Sequence, residues 1–161
     1  MPRPRAKAPR FAIVRSQFNA PITQALLDGA LRAFAQAGVA KGAITVVEVP
    51  GAFELPVCAL WLAQSKRYAA IVALGCVIRG ETPHFEYVAA EAARGLGEVA
   101  LRTGVPVAFG VLTTETAGQA AARSRNDAAA PSSHVGEPHT GNKGFEAAQA
   151  ALAMVRAKAG I

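Results

Sequence analysis

The chain has 161 residues, enough for one sizeable core and too few for two ordinary domains. Apolar residues make up 52% and charged residues 17%, yet no stretch approaches the roughly 20 uninterrupted apolar residues of a membrane-spanning helix, which argues against a membrane-embedded protein. Of the net charge of +6, four units come from Arg3, Arg5, Lys7 and Arg10, leaving +2 for the rest, so a nucleic-acid interface has only a short tail to rest on.

The opening MPRPRAKAPR has no apolar stretch and does not read as a secretory signal. Residues 1–10 are expected to be a disordered, solvated basic arm ahead of a single domain over residues 11–161. Cys58 and Cys76 show neither CxxC spacing nor a metal-ligand pattern, so a reduced, cytoplasmic protein is expected. His134 and His139 lie in a Ser/Pro/Gly-rich stretch without cysteine partners, and no metal is expected there.

Four short apolar or β-branched runs, 11–14, 44–49, 69–74 and 105–109, are each followed by Gly, Pro, Asn or Thr punctuation and are predicted strands. The run 69–74 is apolar throughout, as a strand buried on both faces of a parallel sheet requires. Helical patterns separate them. The first opens at Asn19 as N-cap and carries Ile22, Leu26, Ala30 and Phe34 before Gly38 stops it. The second begins near Glu54 with Pro56 in its first turn, and the third follows Thr82 and Pro83 and runs to about Thr103. This β-α-β-α-β-α-β alternation with right-handed crossovers predicts a doubly wound three-layer α/β/α sandwich on a four-stranded parallel sheet. One short helix and a longer one over 144–159 complete the prediction. Between the short helix and the last one, residues 124–140 (SRNDAAAPSSHVGEPHT) form a loop longer than compact domains usually carry.

Open parallel sheets bind ligands beyond the carboxyl ends of their strands. The four loops expected there read SQFN, PGAFE, GCVIRGETPH and GVLTTET. Gly80-Glu81-Thr82-Pro83-His84 leads into the third helix, where free backbone N–H groups and the positive helix end suit a phosphate; an ordinary helix cap is the plainer reading of the same residues. Arg123, at the end of the short helix, adds a guanidinium if the fold or a neighbouring copy brings it close. His84 stands in the first turn of the third helix, and an imidazole beside an anion site suits proton transfer near neutral pH. Glu54 and Glu81 are alternative proton carriers, although glutamates that start helices usually cap them. Phe18, Phe53 and Phe109 follow or end strands and offer rings for stacking, Phe109 being also readable as ordinary core. The chain contains no GxxxxGK[ST] loop, no GxGxxG after its first strand and no GxSxG elbow, which removes support for nucleotide hydrolysis, dinucleotide redox chemistry and serine hydrolysis.

These motifs, in order FN, VPGAFELP, ALGCVIRGETPHFEYV, GVPVAFGVLTTET, QAAAR and GNKGFEAA, resemble the lumazine synthases over about residues 11–159; GAFE and RGETPHF together are the specific part. The resemblance implies a flavodoxin-like fold, a homopentamer with active sites between adjacent subunits, and a cofactor-free condensation. In that reaction 5-amino-6-(D-ribitylamino)uracil attacks the carbonyl of 3,4-dihydroxy-2-butanone 4-phosphate, an imine forms, phosphate leaves, and ring closure gives 6,7-dimethyl-8-ribityllumazine with loss of two waters. By position the resemblance implies that Phe18 stacks on the pyrimidine. Ala52, Phe53 and Glu54 hold the ribityl chain and ring edge, and Cys76, Val77 and Ile78 read the heterocycle. Glu81, Thr82 and Arg123 bind the phosphate, and His84 donates the proton. Phe109 and Lys143 match positions contributed across the subunit boundary. The 124–140 loop is longer than in family members that close into capsids, which points to an isolated pentamer rather than a capsid and leaves a pair of pentamers open. The competing reading is a non-catalytic relative that keeps the pocket to carry a flavin or lumazine; retention of His84, Arg123 and Lys143 argues against it.

Overall fold

The computed structural model describes residues 7–126 and 141–161. The expected basic arm lies outside them over its first six residues. So does the expected loop from residue 127 to 140, and with it His134 and His139.

Four strands, β1 (Phe11–Ser16), β2 (Ile44–Val49), β3 (Ala70–Ile78) and β4 (Val107–Thr114), form one sheet in the order β2-β1-β3-β4 with every pair parallel. Helix α1 (Ala20–Gln36) leads from β1 to β2, α2 (Leu55–Gln64) from β2 to β3, and α3 (His84–Thr103) from β3 to β4. The chain then forms α4 (Ala117–Ala122) and α5 (Lys143–Ala159). This is the doubly wound α/β sandwich that the strand and helix alternation predicts.

Strand alternation divides the core. Phe11 and Ile13 of β1, with Val72 and Leu74 of β3, pack against α1 and α5 through Leu26, Phe34, Ala147 and Ala151. Ala12 and Val14, with Ile71 and Ala73, face α2 and α3 through Leu55, Ala59, Ala92 and Leu96. A parallel strand covered on both faces has no polar side to alternate with, so β3 reads as an unbroken apolar run.

β3 and β4 extend beyond their predicted ends, to Ile78 and Thr114, with pairing continuous from Gly75↔Val111 to Ile78↔Thr114. The glycines that look like loop punctuation lie inside the sheet. A Cβ on Gly110 would stand 2.6 Å from Leu74 Cδ2 and 2.9 Å from the Ala73 carbonyl oxygen, so glycine here is a packing requirement. Asn19 occupies the N-cap position of α1 as expected but makes no capping bond. It takes a left-handed conformation (φ 58°), and its side-chain Nδ2 donates to the Cys76 carbonyl at 2.9 Å, tying the β1 loop to β3.

α1 and α5 approach closely because small residues face each other. A Cβ on Gly144 would lie 2.0 Å from the Leu26 carbonyl oxygen, and one on Gly29 would lie 2.1 Å from Asn142 Oδ1. Asn142 fills the space so created. Its Nδ2 donates to the carbonyls of Ala25 and Ser124, both at 3.0 Å, and to Asn126 Oδ1 at 3.1 Å; its Oδ1 accepts from Phe145 N at 3.0 Å, capping α5. Ser124 and Asn142 also pair as an isolated antiparallel bridge, and Lys143 N donates to the Arg123 carbonyl at 2.8 Å.

Gly144→Ala should therefore force α5 off α1 and destabilise the fold by about 3 kcal/mol, at the upper end for core overpacking. Urea unfolding followed by circular dichroism measures this; an unchanged midpoint would show that the helices separate without cost.

Candidate active site

β1 lies where the sheet reverses its winding, with α1 crossing to one face on the way to β2 and α2 returning over the other to β3. The crevice at the carboxyl ends of β1 and β3 is therefore the natural ligand site of this topology. A cavity of about 620 Å³ opens there.

The β1 and β2 loops form one wall. Backbone pairing continues past the strands, Gln17 N donating to Val49 O at 2.8 Å and Phe18 N to Pro50 O at 3.0 Å. Phe18 thus has a fixed backbone, yet its ring is 72% exposed at the cavity. After β2 a 3₁₀ turn over Ala52–Glu54 leads into α2. Gly51 N donates to Glu54 Oε2 at 3.0 Å and Glu54 N to Gly51 O at 3.3 Å, so the Glu54 carboxylate holds this turn while lining the cavity. The turn buries Ala52 and leaves Phe53 exposed beside Phe18's loop.

Cys76, Val77 and Ile78 at the end of β3 supply the floor. Burial pushes the Cys76 thiol up to about 11, so near neutral pH it is an S–H group and not a thiolate nucleophile. The Cys58 thiol, on the buried face of α2, is raised for the same reason.

The far wall is the start of α3. Pro83 takes the N-cap position without a side-chain capping bond, and the Thr82 hydroxyl accepts a long 3.4 Å hydrogen bond from His84 N. The helix start thus has no strong side-chain cap, and its positive end faces the loop that the sequence reading gave to a phosphate. His84 is exposed in the first turn, and Gly80, Thr82 and His84 all border the cavity. Phe85, Tyr87 and Val88 border it too, residues that sequence reasoning did not single out. The available signal was helical spacing: Val88 is one turn beyond His84, and Tyr87 lies at i+3, on the same side.

Of the residues proposed from sequence, Phe18, Ala52, Phe53, Glu54, Cys76, Val77, Ile78, Thr82 and His84 come together around this one cavity. Glu81, Phe109, Arg123 and Lys143 do not line it. Phe109 is mid-strand, paired with Ala73, with its ring 48% exposed on the flank of the sheet. Arg123 ends α4, its guanidinium donating to the Gln119 carbonyl at 3.1 Å, and Lys143 begins α5 in an ion pair with Glu146 at 2.6 Å. The Lys143 to Arg123 backbone bond holds these two cationic residues together.

The cavity thus offers aromatic faces, backbone polar groups, one imidazole and a helix start, a set suited to a flat heterocycle joined to an anionic group. The sequence model of the 6,7-dimethyl-8-ribityllumazine synthase family matches residues 8–159. The chain is also 49% identical over 150 residues to a 6,7-dimethyl-8-ribityllumazine synthase of Syntrophus aciditrophicus (strain SB), the match covering 93% of this chain and 90% of that relative. With the GAFE turn and the RGETPHF loop folded around the same cavity, the chain belongs to the 6,7-dimethyl-8-ribityllumazine synthase family.

Proposed function

We propose that this cavity condenses 5-amino-6-(D-ribitylamino)uracil with 3,4-dihydroxy-2-butanone 4-phosphate to give 6,7-dimethyl-8-ribityllumazine, phosphate and water, a step of riboflavin biosynthesis. The observation that carries the reading is the convergence of the Phe18 ring, the Ala52–Glu54 turn, the end of β3 and the His84 helix start on one cavity in a chain of this family.

Phe18 stacks on the pyrimidine. Ala52, Phe53 and Glu54 hold the ribityl chain and ring edge, and Cys76, Val77 and Ile78 contact the heterocycle. The loop carrying Glu81 and Thr82 receives the sugar phosphate at the helix start. The 5-amino nitrogen attacks the ketone carbon and water leaves as the imine forms. Phosphate departs with its C–O bonding electrons, and the ribitylamino nitrogen closes the ring with loss of a second water. His84 supplies and removes protons at the carbinolamine and leaving oxygens. Holding two reactants in register accounts for much of the rate enhancement, because an intramolecular arrangement removes the entropic cost of their encounter.

The active unit is a homopentamer whose sites lie between adjacent copies. Among the described residues, neither lysine nor arginine lines the cavity of a single chain, although a phosphate leaving group calls for cations. Arg123 and Lys143, joined through their backbones, supply that charge together from a neighbouring copy, along with Phe109. A surface for the neighbour is present. Phe53 of the 3₁₀ turn and Val57 and Trp61 of α2 are exposed at four-residue spacing, Trp61 to 64%, and Tyr87, which lines the cavity, is 73% exposed. The isolated pentamer is the assembly to expect, given the long 124–140 segment. A cytoplasmic location is supported by Cys58 and Cys76, both free thiols, and among the described residues no helix is long and apolar enough to cross a membrane.

Mixing the protein with both substrates should generate lumazine absorbance and fluorescence above the uncatalysed background. Arg123→Ala should weaken that signal at limiting sugar phosphate; a flat trace from the unaltered protein would refute the synthase reading. His84→Ala should slow turnover by about a hundredfold, the low end for loss of a general acid-base group, without abolishing it. A folded variant with no detectable product above background would contradict that role. In sedimentation the protein should run at the mass of five chains, and a megadalton shell would exclude the isolated pentamer.

A further inference from the structure

The loop between β3 and α3 makes few bonds of its own. The Thr82 hydroxyl meets His84 N at 3.4 Å, and the Pro83 carbonyl accepts from Glu86 N at 3.0 Å. Its anchorage comes from one residue at its start. Arg79 N donates to the Thr114 carbonyl at 2.9 Å, at the end of β4. The Arg79 guanidinium donates through Nε to Glu115 Oε2 at 2.6 Å and through Nη1 to Glu86 Oε1 at 3.2 Å. Its Cζ lies 4.7 Å from the centroid of the Phe85 ring. One side chain therefore joins the end of β3, the first turn of α3 and the turn that leads into α4.

We propose that Arg79 is a positioning residue for the sugar-phosphate substrate. It does not line the cavity, and it is committed to two carboxylates and a ring face, so it is not itself the phosphate ligand. It acts through its partners: by holding Phe85 and Glu86, it sets the direction in which Thr82, His84 and the N-terminal end of α3 face the cavity. Exposed ion pairs contribute little to stability, whereas a loop with so few bonds of its own depends on them for its direction. The inference rests on the reading that this loop receives the phosphate.

The test compares steady-state kinetics of the full-length protein and its variants, with inorganic phosphate as a competitor. Arg79→Ala should raise KM for the butanone phosphate about tenfold, the size expected when hydrogen bonds to an ionised group are lost. KM for the pyrimidine and the melting temperature should stay unchanged. Arg79→Lys, which keeps the charge but not the two-pronged geometry, should recover part of the loss. Glu115→Gln, which removes the anchor outside α3, should raise the same KM by a smaller factor, and it carries the test if Arg79→Ala does not fold. An unchanged KM for the sugar phosphate in both variants, or equal rises for both substrates, would overturn the proposal. Inorganic phosphate separates the two layers of the argument. If it fails to compete with the sugar phosphate in the unaltered protein, the phosphate reading of the loop fails and the proposal with it. If it competes there and equally well in Arg79→Ala, the reading stands and the positioning role is refuted.

Discussion

Everything in this molecule is arranged around the burial of β3 on both faces and both edges. Ala70–Leu74 is covered by α1 and α5 on one side and by α2 and α3 on the other, and β1 and β4 pair along its length. Such a strand leaves no side on which polar chemistry can be placed, because an unpaired polar group there would carry its full desolvation cost. Chemistry is confined to the carboxyl end, where burial relaxes from Cys76 to the half-buried Val77 and Ile78 and the chain turns outward at Arg79. The cavity floor is the point at which the core strand meets solvent. Its apolar character follows from that continuity, and the polar recognition groups are supplied by the loops around it.

A second constraint operates on the opposite layer. Asn142 is buried between α1 and α5, and its side chain joins Ser124 and Asn126 to Ala25 of α1 while capping the start of α5. Arg32 reinforces the same joint, donating to the Asn126 carbonyl at 3.0 Å and resting 5.2 Å from the Phe145 ring centroid. Arg123 and Lys143 flank this joint, so their spacing is set by a buried side chain and a backbone bond. The length of the chain that connects residues 126 and 141 does not enter. This is how a long connecting segment and a fixed pair of cationic residues coexist in one fold.

The α/β alternation was legible because each element carries its own local signal: β-branched runs for strands, Pro21 and Pro56 in first helical turns, and Gly38 at φ 77° past the end of α1. Strand ends were less legible. Gly75 and Gly110 give the same local signal as turn glycines, and only the packing reveals that Leu74 and the Ala73 carbonyl leave no room for a Cβ at Gly110, while Leu55 and Ser16 crowd Gly75. The cavity-lining residues from Phe18 to His84 were legible because they sit in loops after strands, where topology dictates the site. Phe85, Tyr87 and Val88 were missed for the opposite reason, since apolar residues on a helix read as core until the packing shows them facing a cavity. Arg79 stands first in the RGETPHF motif, yet its role was illegible in a stronger sense. Its partners Glu86 and Glu115 stand 7 and 36 residues away, and nothing local distinguishes this arginine from a solvated surface charge.

Phosphate chemistry in an apolar cavity explains why the site is divided between elements and, on the proposed reading, between copies. A cluster of cations built into the cavity wall beside Phe18 and Phe53 would repel one another and would have to be desolvated whenever the heterocycle bound. The arrangement here avoids this. The wall that lines the cavity is aromatic and aliphatic, the helix start presents its positive end, and Arg79, at the start of the loop, is paired with two carboxylates. Arg123 and Lys143 stand elsewhere, at the end of α4 and the start of α5, with Lys143 paired to Glu146. On the proposed reading, a neighbouring copy brings that charge in only on the phosphate side of the reactants, where negative charge grows as the leaving group departs. Stabilisation is then concentrated on the transition state rather than distributed over the bound heterocycle.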